Sequence, residues 1–359
     1  MPDLFDPITL GSIECPNRIV MAPLTRGRAS RDGVHDELAV EYYRQRAEAG
    51  LIISEATGIS KQGLGWPYAP GLWSRAQTEG WKPVTEAVHK AGGRIVAQLW
   101  HMGRLVHPSM GGGTPLSASA TRGPHRLHTF EGKQDAVQAK AMTRADIERT
   151  IADYVHAATN AVSAGFDGVQ IHGANGYLID QFLRANDRDD EYGGSPENKC
   201  RFMSEVARAV ANEIGVHRTA IRLSPVGEVN GCDSDEPIAL FTAAAQELEK
   251  IGIPWIEMRE PGSDSTFVAS NTDRVSPHMA RHFSGKIGLN SDFTFDSGQE
   301  FVRRGQCDFI AFGRPFIANP DLVRRFHNGA PLNDWDTKTF YTRGPEGYID
   351  YPSLEEERV

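Results

Sequence analysis

Cysteine is scarce in this chain of 359 residues and never occurs in close pairs. The sequence contains Cys15, Cys200, Cys232 and Cys307, which are too widely spaced for the paired ligands of a zinc site or an iron–sulfur cluster. We therefore expect four free thiols and no bound metal.

Long apolar runs and an excess of basic residues are also missing. No stretch approaches the ~18 consecutive apolar residues of a membrane span, and residues 1–6 do not resemble the start of a signal peptide. The formal net charge of -9 disfavours a surface that binds polyanions. These absences predict a cytoplasmic protein without a membrane span or a nucleic-acid partner.

The sequence does contain recurring apolar runs of strand length, separated by stretches with helical signals. The runs are 18–22, 51–56, 94–100, 168–172, 219–224, 255–258, 286–289 and 309–312. Helix starts are indicated by the capping-box pattern at 143–146, by Ser195 before Pro196 and by Asn319 before Pro320.

Such alternation without a linker is typical of an α/β barrel. We predict a single (β/α)8 TIM barrel domain over residues 1–359, with a short N-terminal β-hairpin. Residues 101–142 follow the third strand, are rich in glycine, proline, serine and histidine, and are predicted to form a lid insertion. Residues 330–359 are predicted to form a C-terminal tail, whose Tyr341 reaches the barrel mouth.

The stretch 168–177 begins as a barrel strand and ends in a glycine-containing loop that carries His172, Asn175 and Tyr177. Two of these side chains are suited to hold a substrate oxygen, and the third is suited to supply a proton. The residues alone equally allow a structural role, in which the histidine caps its strand, the asparagine forms the turn and the tyrosine packs.

A second set of polar residues occupies the alternate strand positions that face the barrel interior. A polar side chain buried there needs a hydrogen-bond or ionic partner. Gln98 faces inward on the third strand, and Arg222 does so on the fifth. A buried arginine is costly without an anion, which is either Glu257 on the neighbouring strand or a bound ligand. Gly313 and Arg314 end the last strand, where barrels of this kind often bind phosphate.

Together these residues resemble the old yellow enzyme family of FMN-dependent ene-reductases. The resemblance covers nearly the whole chain, and the order and spacing of its motifs are more specific than any single motif. The motifs are LFDP at 4–7, NR at 17–18, MAPLTR at 21–26, SEAT at 54–57, QLWH at 98–101, the stretch 172–184, EYGGS at 191–195, RLSP at 222–225, GR at 313–314 and IANPDL at 317–322.

The resemblance implies a flavin site and a substrate site at the barrel mouth, with Arg222 stabilising the charge of reduced flavin. The implied cofactor-binding residues are Pro23, Leu24, Thr25, Ala56, Gln98, His172, Arg222, Asn290, Ser291, Gly313 and Arg314. The implied substrate-binding residues are Trp66, Trp100, His172, Asn175, Tyr177 and Tyr341. The family pattern is not matched after the seventh strand, where 289–292 lacks a glycine-rich turn.

The implied activity is reduction of activated C=C bonds in α,β-unsaturated carbonyl or nitro compounds, with NADPH or NADH as reductant. His172 and Asn175 are implied to hold the substrate oxygen while hydride passes from flavin N5, and Tyr177 to donate the proton. Reduction of nitrate esters or nitroaromatics by the same flavin is the alternative, and a barrel that only binds a small ligand is a third hypothesis. A monomer or homodimer acting on small molecules is expected.

Overall fold

The chain folds around a closed ring of parallel strands, and the computed structural model describes residues 1–266 and 268–355. In chain order, the strands are β1 (Ile8–Leu10), β2 (Ile13–Cys15), β3 (Ile19–Met21), β4 (Leu51–Ile53), β5 (Thr57–Gly58), β6 (Ile95–Trp100), β7 (Leu116–Ser117), β8 (Leu127–Thr129), β9 (Gly132–Gln134), β10 (Lys140–Ala141), β11 (Gly168–Gly173), β12 (Thr219–Leu223), β13 (Trp255–Arg259), β14 (Lys286–Asn290) and β15 (Phe309–Phe312). The helices are α1 (Glu37–Arg44), α2 (Arg75–Lys90), α3 (Arg144–Ser163), α4 (Leu178–Arg184), α5 (Pro196–Ile214), α6 (Pro237–Ile251), α7 (Ser276–Met279), α8 (Phe295–Arg303), α9 (Arg314–Ala318) and α10 (Leu322–Asn328).

The barrel is formed by strands β3, β4, β6, β11, β12, β13, β14 and β15, which pair in this order. β15 pairs with β3 and β11 pairs with β6, so the sheet has no free edge within the ring. Every pairing in the ring is parallel. Each strand overlaps one of the apolar runs in the sequence, and the predicted (β/α)8 barrel is confirmed.

Side chains alternate between the helix layer and the barrel interior, as β6 illustrates. Ile95, Ala97 and Leu99 are buried in the main core, whereas Val96 is buried in a separate cluster inside the barrel. The next inward position is Gln98, which the sequence predicted to face the interior.

Two of the three indicated helix starts are confirmed, whereas Asn319 ends α9 and the next helix, α10, begins at Leu322 after Asp321. The Thr143 hydroxyl accepts from the Asp146 backbone amide in a capping box, and the Ser195 side chain accepts from the Asn198 amide at the start of α5. These bonds satisfy amides that a helix start otherwise leaves unpaired. Across the described ranges, the helices are all too short or too polar to cross a membrane.

The predicted N-terminal hairpin closes the amino-terminal end of the barrel. β1 and β2 pair antiparallel, and Ile8, Leu10 and Ile13 are buried in one cluster with the strand residues Val20 and Trp255. Burying this surface contributes ~25 cal/mol per Å² of apolar area. The interior is therefore filled with apolar side chains at this end, and polar groups concentrate at the opposite one.

Residues 101–142, the predicted lid, pack on the rim of the barrel mouth. β8 and β9 form an antiparallel hairpin next to the loop after β5. The ring centroids of His128 and Trp66 lie 4.5 Å apart, and those of Phe130 and Tyr68 lie 5.1 Å apart. That this segment closes over a ligand stays a prediction.

Two buried arginines hold the C-terminal segment on the barrel. The Arg28 guanidinium donates to the carbonyl oxygens of Gly344 and Glu346, each at 2.9 Å. Arg26 donates to the carbonyl oxygen of Gly347 at 2.7 Å. Because both arginines are at most 2% exposed, these carbonyls are satisfied by charged donors away from water.

The clamped segment carries an aromatic residue to the barrel mouth. Arg26 also donates to the carbonyl oxygen of Phe340 at 3.2 Å, and the next residue is Tyr341. The Tyr341 ring centroid lies 5.2 Å from that of Trp66. The loop after β3 therefore positions a side chain that lies more than 300 residues further along the chain.

Arg28→Met should lower the free energy of unfolding by at least ~1–3 kcal/mol, because several buried carbonyls lose their donor. Urea unfolding measures the loss, and limited proteolysis should cut the C-terminal segment faster. Arg144→Met is the matched control, since it removes exposed ion pairs and should leave the free energy of unfolding close to the parent value. If Arg28→Met is as stable as the parent, Arg28 does not hold the C-terminal segment on the barrel.

Candidate active site

A cavity of about 960 Å³ opens at the carboxyl ends of the barrel strands. Its walls come from the loop after β3, the ends of β12 and β14, the turn after β15 and the C-terminal segment. The predicted site residues that line it are Pro23, Leu24, Thr25, Asn175, Arg222, Asn290, Ser291, Gly313, Arg314 and Tyr341. The structure thus gathers most of the expected flavin-binding set around one space.

The remaining predicted residues are not on the lining of the cavity. They are Ala56, Trp66, Gln98, Trp100, His172 and Tyr177. Ala56 and Trp100 share an apolar cluster, against which Tyr177 packs. His172 is the direct neighbour of Arg222 in the register of β11 and β12.

The turn after β11 is tightly constrained. Asn175 has a left-handed backbone with φ 59°, and its amide donates to the Ser224 hydroxyl at 2.8 Å. Asn230 donates to the Asn175 carbonyl, also at 2.8 Å. A Cβ at Gly176 would lie 2.4 Å from the Val229 carbonyl oxygen, so only glycine fits. The Asn175 backbone is therefore fixed at the cavity wall, and its buried side-chain Oδ1 has no hydrogen-bond partner among the described residues.

Aromatic contacts bring the other two residues of this stretch together. The Tyr177 ring packs edge-on against Trp100 and against His172, with ring centroids 4.9 Å apart in each pair. The predicted proton donor is thus in direct contact with one of the predicted oxygen-binding residues.

Both rings are held in a protonation state that allows donation. Burial, with the nearby Arg222 charge, holds the pKa of His172 well below its usual range, so the imidazole is neutral. His172 Nδ1 accepts from the Ala174 amide at 3.3 Å, which assigns the ring proton to Nε2. Burial also raises the pKa of Tyr177, so its phenol keeps its proton.

Inside the barrel, five polar side chains form a belt joined by three hydrogen bonds and one ion pair, defined as Gln98, Gln170, Glu257, Arg222 and Asn290. Gln98 donates to Gln170 at 2.7 Å, and Gln170 donates to Glu257 Oε2 at 2.8 Å. Arg222 Nε lies 3.3 Å from Glu257 Oε1, and Arg222 Nη2 donates to Asn290 Oδ1 at 2.9 Å. The ion pair that the sequence left open is formed, and the arginine also lines the cavity.

The exit of β14 has an unusual backbone. Ser291 and Asp292 have φ values of 125° and 49°, a region that residues with side chains rarely adopt. The absent glycine-rich turn is thus replaced by strained residues at the cavity wall. Asp292 Oδ1 lies 3.5 Å from Arg314 Nη1, so a carboxylate engages the predicted phosphate-binding arginine in this structure.

The groups around the cavity fit FMN. Arg222, Arg259 and Arg314 supply three guanidinium groups, which suit a phosphorylated and anionic ligand. A Cβ built on Gly313 would have Leu24 Cδ2 as its one neighbour, at 3.5 Å, so the backbone there is open to a close approach. Apolar side chains on the same walls suit a flat ring system.

Sequence reasoning did not identify Gln170 or Arg259. Gln170 lies two residues before His172 on β11, and Arg259 lies two residues after Glu257 on β13. Both occupy the inward parity of an apolar strand. The rule that identified Gln98 would have found them as well.

Comparison with known proteins agrees with this geometry. The sequence profile of the NADH:flavin oxidoreductase / NADH oxidase family matches residues 3–333. The 12-oxophytodienoate reductase 2 of Arabidopsis thaliana is 41% identical, over 98% of this chain and 96% of the relative. The solved old yellow enzyme homologue of Zymomonas mobilis is 52% identical with a TM-score of 0.97, covering 98% of this chain and 100% of that one.

Morphinone reductase is a further structural relative, at 42% identity and a TM-score of 0.95, covering 100% of this chain and 98% of that one. A second structure of morphinone reductase holds tetrahydroNAD. The predictions of FMN as cofactor and of a nicotinamide as reductant are confirmed. With a profile match over most of its length and relatives well above 30% identity, this chain belongs to the NADH:flavin oxidoreductase / NADH oxidase family, the old yellow enzyme family that its motifs resemble.

Proposed function

We propose that this protein uses NAD(P)H to reduce activated C=C bonds of α,β-unsaturated carbonyl or nitro compounds. One observation carries the proposal: a neutral His172 is in ring contact with the protonated Tyr177, and Asn175 lies on the wall of the cavity that Arg222, the neighbour of His172, also lines. The relatives named 12-oxophytodienoate reductase and morphinone reductase support it, because both names denote reduction of a carbonyl-bearing compound.

His172 and Asn175 would hold the carbonyl or nitro oxygen of the substrate. FMN, once reduced by NAD(P)H, supplies the hydride for the alkene. His172 Nε2–H and the Asn175 amide provide donors for an oxygen that gains negative charge as the alkene is attacked. Each such donor is commonly worth ~10²–10³ in rate.

Tyr177 would deliver the proton to the α-carbon. Its raised pKa keeps the phenol protonated at neutral pH, and contacts with Trp100 and His172 restrict the ring. A positioned acid contributes ~10²–10⁴ in rate.

Aromatic residues at the rim would set the width of the substrate site. Trp66 and Tyr341 are in ring contact, and they come from the loop after β5 and from the clamped C-terminal segment. Tyr341 is 55% exposed, so it can be displaced by a ligand more easily than the buried Trp100.

Tyr177→Phe should leave reduction of FMN by NADPH at the parent rate and slow reoxidation by 2-cyclohexenone ~10²–10⁴-fold, because only the second step needs a proton from the protein. Stopped-flow absorbance of the flavin measures each half separately. Tyr154→Phe is the matched control, since it removes the hydroxyl of a fully buried tyrosine that lies on α3 in the outer core. An equal loss in both halves for Tyr177→Phe would show a packing role instead.

A para-substituted phenol should bind as phenolate beside oxidised FMN and give a broad long-wavelength absorption band. His172→Ala and Asn175→Ala should each weaken the band and raise the apparent pKa of the phenol, because the anion loses a donor. Since the pKa of His172 is already far below neutrality, the parent titration should follow the phenol alone. Unchanged FMN content is the control, and parent-like phenol binding in both variants would contradict the assigned oxygen site.

A further inference from the structure

The belt contains a carboxylate that the reaction does not use directly. We propose that Glu257 is a positioning residue, which holds Arg222 towards FMN and whose charge lowers the reduction potential of the bound FMN. The inference rests on the proposed placement of Arg222 against FMN. It concerns the affinity of the site for electrons rather than the groups that touch the substrate.

The geometry gives Glu257 control over the arginine. Arg222 is held at two points, by Glu257 Oε1 at 3.3 Å from Nε and by Asn290 Oδ1 at 2.9 Å from Nη2. Glu257 lies on β13, which pairs with β12, and Asn290 lies on β14, the next strand in the ring, so both contacts come from the same direction around the barrel. The other side of Arg222 lines the cavity.

Glu257 itself is completely buried, with no exposed surface. Its described polar contacts are Arg222 on β12 and Gln170 on β11, while its direct neighbour on β14 is Gly288. The other ionisable inward residues on the adjoining strands are His172, which is neutral, and Arg259. Arg222 is therefore the charged group that Glu257 meets at ion-pair distance.

The effect on FMN follows from charge balance. Reduction adds negative charge to FMN, which the positive charge of Arg222 favours. An ionised Glu257 cancels part of that positive charge, so it makes reduction less favourable than Arg222 alone would. Burial raises the pKa of Glu257, against the opposing effects of Arg222 and Gln170, so its charge and this opposition should both increase with pH.

The test is the two-electron midpoint potential of FMN in the holoenzyme, measured from about pH 6 to about pH 9. Glu257→Gln keeps the size of the side chain and removes its charge. At the upper pH, we expect its oxidation–reduction equilibrium to be shifted at least tenfold towards reduced FMN, which for a two-electron couple is about 30 mV. The difference between the two proteins should be largest at the highest pH, because burial raises the pKa of Glu257 and ionisation of the parent carboxyl increases with pH.

Glu260→Gln is the matched control. Glu260 is an equally buried carboxylate near the end of the same strand, but it accepts from the amides of Val275 and Ser276 instead of pairing with Arg222. It should leave the FMN potential at the parent value. If Glu257→Gln does not fold, Gln170→Leu is measured instead. Loss of the Gln170 donor should raise the pKa of Glu257, so the pH-dependent change in the FMN potential should occur at a higher pH than in the parent.

Equal potentials in Glu257→Gln and the parent at every pH overturn the inference, as does an equal shift in Glu260→Gln. Either result leaves the proposed function standing, because that proposal depends on the separate half-reactions of the Tyr177 variant. A lower potential in Glu257→Gln also overturns it, since the charge of Glu257 would then not oppose the reduction of FMN.

Discussion

The ion pair of Arg222 with Glu257 is the constraint on which the rest of the site depends. Taking either ion out of water costs several kcal/mol, and the pair offsets this cost only with good geometry and further hydrogen bonds. Gln170 and Asn290 supply those bonds. A positive group can thus be kept inside an otherwise apolar barrel, with one face turned to the cavity.

The barrel supplies the positions around that charge. Parallel pairing puts His172 beside Arg222, and the strained turn that follows carries Asn175 to the same cavity. The turn is supported by the buried Asp180–Arg184 pair, whose Asp180 accepts from the Gly176 amide at 2.7 Å. The loop that carries Asn175 is therefore fixed by residues that do not line the cavity, as the proposed preorganised site requires.

The barrel and the 172–177 site could be predicted because both are local patterns: apolar runs with inward polar residues, and a glycine turn after a strand. The hydrogen bond from Arg28 to Gly344 could not be predicted, because it joins positions separated by 316 residues through a backbone carbonyl. The left-handed Ser291 was equally hidden, since serine does not signal that backbone. The belt could be predicted in part. The sequence shows which of its side chains face inward, but the strand register decides which of them contact one another.

If the proposed function is right, the buried charge of Arg222 favours the reduction of bound FMN. The most direct test compares the two-electron midpoint potential of FMN in Glu257→Gln with that in the double variant Arg222→Met and Glu257→Gln. Both proteins lack the Glu257 carboxylate, so the comparison measures the effect of the Arg222 guanidinium on the potential. We expect the potential of the double variant to be lower by about 30 mV or more. This difference corresponds to a tenfold shift of the oxidation–reduction equilibrium towards oxidised FMN. The same potential in both proteins would contradict this role of Arg222.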